Sequence, residues 1–375
     1  MILTQCACCA APLPHLAKQC SRCKTRYCGA ACQTKHWNEG GHDKLCRKIR
    51  KGGGAEQYNA NTMYKEAVTV AAEACAEDTK GQTCYICTEA VHRHTKEGLV
   101  RGCACHTTEG FVHVSCLAEQ AKILMDEAEE NNLGPKMLNE RWHRWAICGL
   151  CEQRYHGVVS CALGWACWKT YLGRPEGDWA RGVAMSELGG GLYAAQHHED
   201  ALSAWEAELA MMRRVGASEG RSLIVQGNLA NVYNALGLEE QALLVQRAVY
   251  HGTLKLKGEE DGETLREASN YACGLVESSD SSRLTEAKSL LRKTMPVARR
   301  VLGESHDLTL TMRSIYAEAC YKDTSATAGD LRETVNMLED TDRIARRVLG
   351  GAHPTVMAIG EDLRYSRAAL ARSSL

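Results

Sequence analysis

Between Cys84 and Cys151 the chain reads Cys84-x2-Cys87, Cys103-x-Cys105, His113-x2-Cys116 and Cys148-x2-Cys151. These eight residues are soft or borderline metal ligands that arrive as four close pairs. Each pair can hold one side of a tetrahedral zinc ion, and two pairs complete a site. The segment is therefore predicted to bind two structural zinc ions.

The order of these ligands resembles the RING-CH zinc finger, in which a Cys is the fourth ligand and a His the fifth. The stretches Cys84-Tyr85-Ile86-Cys87 and Phe111-Val112-His113-Val114-Ser115-Cys116-Leu117 also match that family. The resemblance implies a cross-brace, in which pairs one and three share one zinc and pairs two and four share the other. The implied ligand sets are Cys84, Cys87, His113 and Cys116 for one ion, and Cys103, Cys105, Cys148 and Cys151 for the other.

The same resemblance implies an E3 ubiquitin ligase, which docks a ubiquitin-charged E2 enzyme and recruits a protein substrate. Ile86 and Trp145 would then face the E2. The chain departs from the family in three ways: the gap from Cys116 to Cys148 is long, no Trp closely follows Leu117, and no Pro follows the last pair. These departures concern partner binding more than zinc binding.

A second ladder of ligands precedes the first along the chain: Cys6-x2-Cys9, Cys20-x2-Cys23, Cys28-x3-Cys32 and His42-x3-Cys46. On a helix, the x3 spacing puts both side chains of a pair on one face. With Tyr27, Gln33 and Trp37, this order resembles a MYND finger. The resemblance implies one zinc held by Cys6, Cys9, Cys28 and Cys32, and another held by Cys20, Cys23, His42 and Cys46.

Other cysteines and histidines could replace these ligands, but they fit the spacing less well. Cys8 competes with Cys6 and Cys9, and His36 competes with His42. Within the ladder from Cys84 to Cys151 the alternatives are His92, His94 and His106. Cys161 and Cys167 could belong to a third metal site, but their six-residue spacing without a partner pair favours two cysteines buried in a helix.

The N-terminal ladder, from Cys6 to Cys46, is basic, with ten Lys and Arg in residues 1–51 against Glu39 and Asp43. The simplest interpretation of these basic residues is that they are solvated charges on the surface of a small metal-binding domain, because the net charge of the whole chain is only −1. Together with the MYND resemblance, which implies short peptides as ligands, this favours a protein partner over nucleic acid.

From residue 179 onward cysteine nearly vanishes and helix–turn–helix patterns repeat. A small residue recurs in one slot of the pattern, at Ala201, Ala242, Ala287 and Thr334, with spacings of 41, 45 and 47 residues. The pattern resembles kinesin-light-chain-type tetratricopeptide repeats, which implies an α-helical solenoid that binds peptides or proteins. Residues 355–371 are predicted to cap the solenoid.

The sequence thus predicts a mostly α fold, with two small cross-brace zinc fingers followed by a TPR-like solenoid. The predicted modules are 1–50 (MYND-type finger), 51–80 (linker and helix), 81–155 (RING-CH-like finger), 156–178 (connecting helix) and 179–375 (helical repeats). The N-terminus lacks a signal peptide pattern, so the twenty cysteines indicate metal in a reducing cytoplasmic or nuclear compartment. No apolar run is long enough to predict a membrane span.

The sequence contains no Walker loop, dinucleotide fingerprint, nucleophile elbow or SET-type methyltransferase motif. Two hypotheses remain. The first is an E3 ubiquitin ligase without a nucleophile of its own, and the second is a non-enzymatic zinc-finger and TPR scaffold. Both require four Zn²⁺ ions, two in each finger, and protein partners.

Overall fold

A computed structural model describes residues 4–13, 16–103, 105, 110–277, 280–349 and 354–373. Over these residues the fold is mostly helical, with fifteen α-helices and one two-stranded antiparallel hairpin. The chain forms two compact units, Met1–Ala217 and Ser218–Leu375. The predicted module boundaries do not coincide with this division, because the helices from Trp179 to Val215 belong to the first unit. Those boundaries stay predictions.

The first unit begins with a hairpin of β1 (Lys18–Gln19) and β2 (Arg26–Tyr27), in which Lys18 pairs with Tyr27. A short 3₁₀ helix lies at His143–Trp145. The α-helices of this unit are α1 (Ala30–Asn38), α2 (His42–Lys51), α3 (Ala55–Ala74), α4 (Val114–Glu130), α5 (Pro135–Trp142), α6 (Gly157–Tyr171), α7 (Trp179–Ala194) and α8 (His198–Val215).

Helix α6 lies at the centre of the first unit and packs against α3, α4 and α7. It is apolar around its whole circumference, which is the pattern of a helix buried on all sides. Ten of its fifteen residues are buried. The helix that the sequence predicted here to connect two modules is therefore the main core element of the unit.

Helices α6 and α7 approach each other closely because glycines lie at their crossing. A Cβ added at Gly191 of α7 would lie 2.6 Å from the carbonyl oxygen of Ser160 in α6. A Cβ at Gly164 of α6 would lie 2.8 Å from the carbonyl oxygen of Glu187 in α7. Only residues without a side chain allow backbones this close.

The described residues of the second unit form seven consecutive helices. They are α9 (Glu219–Ala235), α10 (Glu239–Lys257), α11 (Gly262–Glu277), α12 (Ser281–Val301), α13 (Asp307–Lys322), α14 (Ala328–Leu349) and α15 (Pro354–Ser373). Each helix packs against the next, and α11 also contacts α13, which in turn contacts α15. This pattern of near-neighbour packing is that of a helical solenoid.

The small-residue slot of the predicted repeat lies on the second helix of each pair, α8, α10, α12 and α14. Ala201, Ala242 and Ala287 are completely buried, and Thr334 is 3% exposed. Asp280 begins α12 by accepting hydrogen bonds from the N–H groups of Ser282 and Arg283, which is a typical N-cap. The predicted repeat pattern and the TPR-like fold are therefore confirmed.

Candidate metal centres

The sixteen predicted ligands form four clusters, each with its ligand atoms within 4.8 Å of one another. The clusters are Cys6–Cys9–Cys28–Cys32, Cys20–Cys23–His42–Cys46, Cys84–Cys87–His113–Cys116 and Cys103–Cys105–Cys148–Cys151. Pairs one and three meet, and pairs two and four meet, in both fingers. Each cluster could hold a metal ion, and zinc as that metal stays a prediction.

The spacing of the ligand atoms fits a tetrahedral zinc ion. With Zn–S bonds of about 2.3 Å, a tetrahedron places its sulfurs about 3.8 Å apart. The Sγ atoms of Cys20 and Cys46 are 3.8 Å apart, and those of Cys105 and Cys148 are also 3.8 Å apart. In the first cluster, the Sγ atoms of Cys9 and Cys28 are 3.6 Å apart. The donor sets, three or four sulfurs with at most one imidazole, are those of structural zinc sites.

The two histidines present different ring nitrogens to their clusters. His42 directs Nε2 at the sulfur of Cys23, at 3.4 Å, and His113 directs Nδ1 at the sulfur of Cys87, at 3.3 Å. Burial lowers the pKa of His113 below its usual value. The neutral imidazole that burial favours is the form that binds a metal.

The four Cys-x2-Cys pairs share one backbone turn. In each, the N–H after the second Cys donates to the carbonyl of the first Cys at 2.8–3.1 Å. In each, the N–H of the first Cys donates to the carbonyl five residues later at 2.8–3.0 Å. The residue after the second Cys is left-handed in all four turns: Ala10 (φ 57°), Lys24 (φ 65°), Thr88 (φ 65°) and Glu152 (φ 57°). We call this arrangement the ligand turn.

The ligand turn directs backbone N–H groups at the first sulfur of the pair. The N–H groups of Ile86 and Cys87 lie 3.4 and 3.5 Å from the Sγ of Cys84, and that of Leu150 lies 3.4 Å from the Sγ of Cys148. Burial alone would raise the pKa of the Cys84 thiol, but the N–H groups of Cys87, His113 and Ile86 hold that pKa below its usual value. The turn therefore favours the thiolate, which is the metal-binding form.

A fifth copy of the same turn lacks cysteine. His92 and Thr95 take the ligand positions, the N–H of Lys96 donates to the carbonyl of His92 at 3.0 Å, and Lys96 is left-handed with φ 60°. The Nδ1 of His92 accepts from the N–H of Thr95 at 3.2 Å, as a sulfur does in the other turns. Sequence reasoning missed this turn because it considered only ligand pairs. The four-residue offset from His92 to Lys96, equal to that from Cys84 to Thr88, was the available signal.

We expect Lys96→Gly to stabilise the folded chain, because a left-handed conformation costs a residue with a Cβ about 1 kcal/mol more than glycine. Lys65→Gly is the matched control. Lys65 is an exposed residue inside α3, where glycine costs about 1 kcal/mol. Urea unfolding of the zinc-loaded chain should give opposite signs for the two variants. Equal destabilisation by both would contradict the inferred strain.

Those alternative ligands that the structure describes lie outside the four clusters. Cys8 is half-buried beside Cys9, and the Nδ1 of His36 is 3.0 Å from the hydroxyl of Tyr27. His92 and His94 contact each other with ring centroids 6.0 Å apart. Cys161 and Cys167 are buried in α6, as the sequence predicted. His106 lies outside the described residues.

The two residues predicted to face an E2 enzyme differ in how far they are exposed to solvent. Ile86 is 37% exposed. Trp145 is only 2% exposed, with its ring centroid 5.8 Å from Tyr171 of α6 and 6.4 Å from Trp142. Contact between Trp145 and an E2 enzyme stays a prediction, and the packing of its ring against Tyr171 of α6 argues against it in the folded chain. The neighbouring Leu150, 49% exposed, presents an apolar side chain instead.

The helical repeats have counterparts among known proteins. A tetratricopeptide-repeat family model matches residues 279–307. One similar solved structure contains nearly identical TPR-like repeats of a kinesin light chain from Podosopora anserina, with 17% identity, 63% of this chain and 97% of that chain covered, and a TM-score of 0.43. Another is BtubC (BKLC) from P. vanneervenii, with 11% identity, 70% and 88% covered, and a TM-score of 0.41. A search of curated proteins finds no match.

These features describe a protein-interaction scaffold. The tetratricopeptide-repeat segment supplies helical surfaces of a kind that binds proteins, and the four clusters supply candidate zinc sites in the first unit. None of the helices among the described residues has both the length and the apolar character that a membrane crossing requires.

Proposed function

We propose that this chain is a zinc-dependent E3 ubiquitin ligase of the RING-CH type, with its helical repeats and its MYND-like finger recruiting the substrate. The observation that carries the proposal is a pair of exposed apolar side chains at one position of the ligand turn. Ile86 precedes Cys87 and Leu150 precedes Cys151, and both are exposed. Apolar residues at the tips of two turns form a surface suited to a protein partner.

The two turns that carry these tips are neighbours, although 64 residues separate Ile86 from Leu150. Burial raises the pKa of Tyr85 to about 12, and the charge of Cys148 adds to the shift. Burial and then the neighbouring Tyr85 raise the pKa of Tyr155. These mutual effects require the turn at Cys84 to lie beside the turn at Cys148. Ile86 and Leu150 therefore belong to neighbouring turns of the second finger.

The protein would contribute positioning rather than bond chemistry. A docked E2 carries ubiquitin as a thioester, and a lysine of the recruited substrate attacks that thioester. The residues of this chain supply no nucleophile; they hold the two reactants together and so raise their effective concentration. Zinc-bound thiolates and ubiquitin transfer both fit a reducing compartment, the cytoplasm or the nucleus.

A scaffold that does not transfer ubiquitin is the second candidate, and the burial of Trp145 favours it. The aromatic residue that the RING-CH resemblance assigns to E2 contact is not at the surface. In this alternative, the tips at Ile86 and Leu150 bind a different protein. Zinc binding and protein binding are common to both candidates.

Self-ubiquitination of the zinc-loaded chain with a panel of E2 enzymes tests the proposal. We expect polyubiquitin products with at least one E2, and Ile86→Ala should reduce their rate about tenfold, the equivalent of losing about 1.4 kcal/mol of contact. Val91→Ala is the matched control, since Val91 is 54% exposed in the same finger but lies outside the ligand turns. If no E2 gives products while the zinc content is complete, the scaffold alternative replaces the ligase.

A further inference from the structure

The four clusters differ in how far their ligands are exposed to solvent. In the first cluster, Cys9 and Cys28 are exposed and Cys32 is half-buried, so that only Cys6 is covered. In the second cluster, none of the four ligands is more than 4% exposed. The third and fourth clusters contain no exposed ligand either. Small solutes therefore reach the sulfurs of the first cluster more readily than those of the other three.

The exposure of the first cluster follows from the elements that supply its ligands. Cys6 and Cys9 lie in a ligand turn, Cys28 lies just before α1, and Cys32 belongs to α1. None of the nine residues of α1 is buried, so this helix lies at the surface of the finger. The three cysteines of the second cluster belong instead to the apolar core of the finger, together with Tyr27.

The exposed sulfurs of the first cluster are also close together. The Sγ of Cys28 lies 3.6 Å from that of Cys9 and 3.4 Å from that of Cys32. A cysteine that binds a metal does so as the thiolate, which is also the form that attacks an oxidant. Among thiolates, susceptibility to oxidation follows exposure. The first cluster thus combines exposed thiolates with a second sulfur close enough to form a disulfide.

We propose that Cys9 and Cys28 are a site of oxidation by peroxides, and that their oxidation releases the metal of the first cluster while the other three clusters keep theirs. The inference rests on zinc as the metal predicted for the first cluster. It holds whether or not the second finger docks an E2 enzyme, because the second finger takes no part in it.

The reaction balances with hydrogen peroxide as the oxidant. The thiolate of Cys28 attacks one peroxide oxygen and the O–O bond breaks, which leaves a sulfenic acid and a hydroxide ion. The thiolate of Cys9 then attacks the sulfur of Cys28 and the S–O bond breaks, which leaves a disulfide and a second hydroxide ion. The two sulfurs lose two electrons, the peroxide gains them, and two protons from solvent complete two water molecules. The cluster then keeps only Cys6 and Cys32 as ligands, too few to hold zinc.

Loss of this metal would loosen α1 and leave α2 in place. Helix α1 buries no residue, and it is attached through the ligand Cys32 and through His36, whose Nδ1 is 3.0 Å from the hydroxyl of Tyr27. Oxidation removes the first attachment, and the folding free energy that the metal supplies is lost with it. Helix α2 remains attached through His42 and Cys46 of the second cluster. The first finger would therefore change its surface in response to peroxide without unfolding completely.

Treatment of the full zinc-loaded chain with hydrogen peroxide tests this proposal. Native mass spectrometry counts the bound ions, and alkylation with two isotopic forms of N-ethylmaleimide, before and after reduction, identifies the oxidised cysteines. We expect the count to fall from four ions to three as a Cys9–Cys28 disulfide forms. That disulfide should form at least about tenfold faster than any oxidation of Cys20, Cys23 or Cys46. Hydrogen exchange should become faster in α1 and stay unchanged in α2.

Cys8→Ser is the matched control, because Cys8 is a half-buried cysteine beside Cys9 that belongs to none of the four clusters. This variant should release its ion at a rate within about twofold of the unmodified chain. The proposal is overturned if Cys8→Ser abolishes the release, since Cys8 would then be the reacting thiol. It is also overturned if Cys20 and Cys46 are oxidised as fast as Cys9 and Cys28, or if the first cluster holds no zinc before peroxide is added.

Discussion

Cys148→Ser is expected to lower the bound zinc from four ions per chain to three and to loosen the second finger. Cys148 is 1% exposed and lies in a cluster that has only four ligands. A serine hydroxyl stays protonated at neutral pH and does not replace a thiolate. Because structural zinc contributes on the order of 10 kcal/mol of folding free energy, losing one site should cost much of the stability of the first unit.

Cys161→Ser provides the control for this experiment. Cys161 is also a buried cysteine, but it belongs to α6 and to none of the four clusters. Native mass spectrometry should find four zinc ions in Cys161→Ser and three in Cys148→Ser. Four ions in both variants, or three in both, would contradict the assignment of Cys103, Cys105, Cys148 and Cys151 to one zinc.

Gly191→Ala should destabilise the first unit by about 1–3 kcal/mol, the range typical of overpacking in a rigid core. The added methyl group would meet the carbonyl oxygen of Ser160 at 2.6 Å and the Cα of Cys161 at 3.0 Å. Both atoms are backbone, so only a separation of α6 from α7 relieves the clash. Urea unfolding of the zinc-loaded chain measures the loss.

Gly190→Ala, one residue earlier on the same helix, should act in the opposite direction. No described atom lies within 4 Å of a Cβ at Gly190. Alanine has the higher helix propensity, so this variant should gain about 0.5–1 kcal/mol. If both variants lose stability equally, the effect belongs to α7 as a whole and not to its crossing with α6.

The grouping of the metal ligands could be predicted from the sequence. The family resemblance implied which pairs meet. Pair spacing predicted that each close pair faces one ion, because a short Cys-x2-Cys segment has few ways to present two sulfurs to it. The same reasoning placed small residues at the Ala201, Ala242 and Ala287 slot. Both predictions depend on local geometry, which a sequence encodes directly.

The burial of Trp145 and the central position of α6 could not be predicted from the spacing of the metal ligands. Trp145 is three residues from Cys148, so the resemblance placed it at the surface of the finger. Helix α6 is apolar on all sides, however, so other side chains must pack against it. The rings of Trp142 and Trp145 do so at Tyr171. The left-handed residues were missed as well, because none of the five ligand-type turns marks that position with glycine.

The second finger and α6 are also joined through the backbone. The N–H of His156, just before α6, donates to the carbonyl of Gly102 at 2.9 Å, next to the ligand Cys103. If the cluster that contains Cys103 holds zinc, as proposed, a newly made chain without the metal would leave the start of α6 unanchored. Cells remove such chains by proteolysis, so a modest loss of stability becomes a several-fold loss of protein. The cellular level of this protein should therefore rise and fall with zinc supply, even when its synthesis is constant.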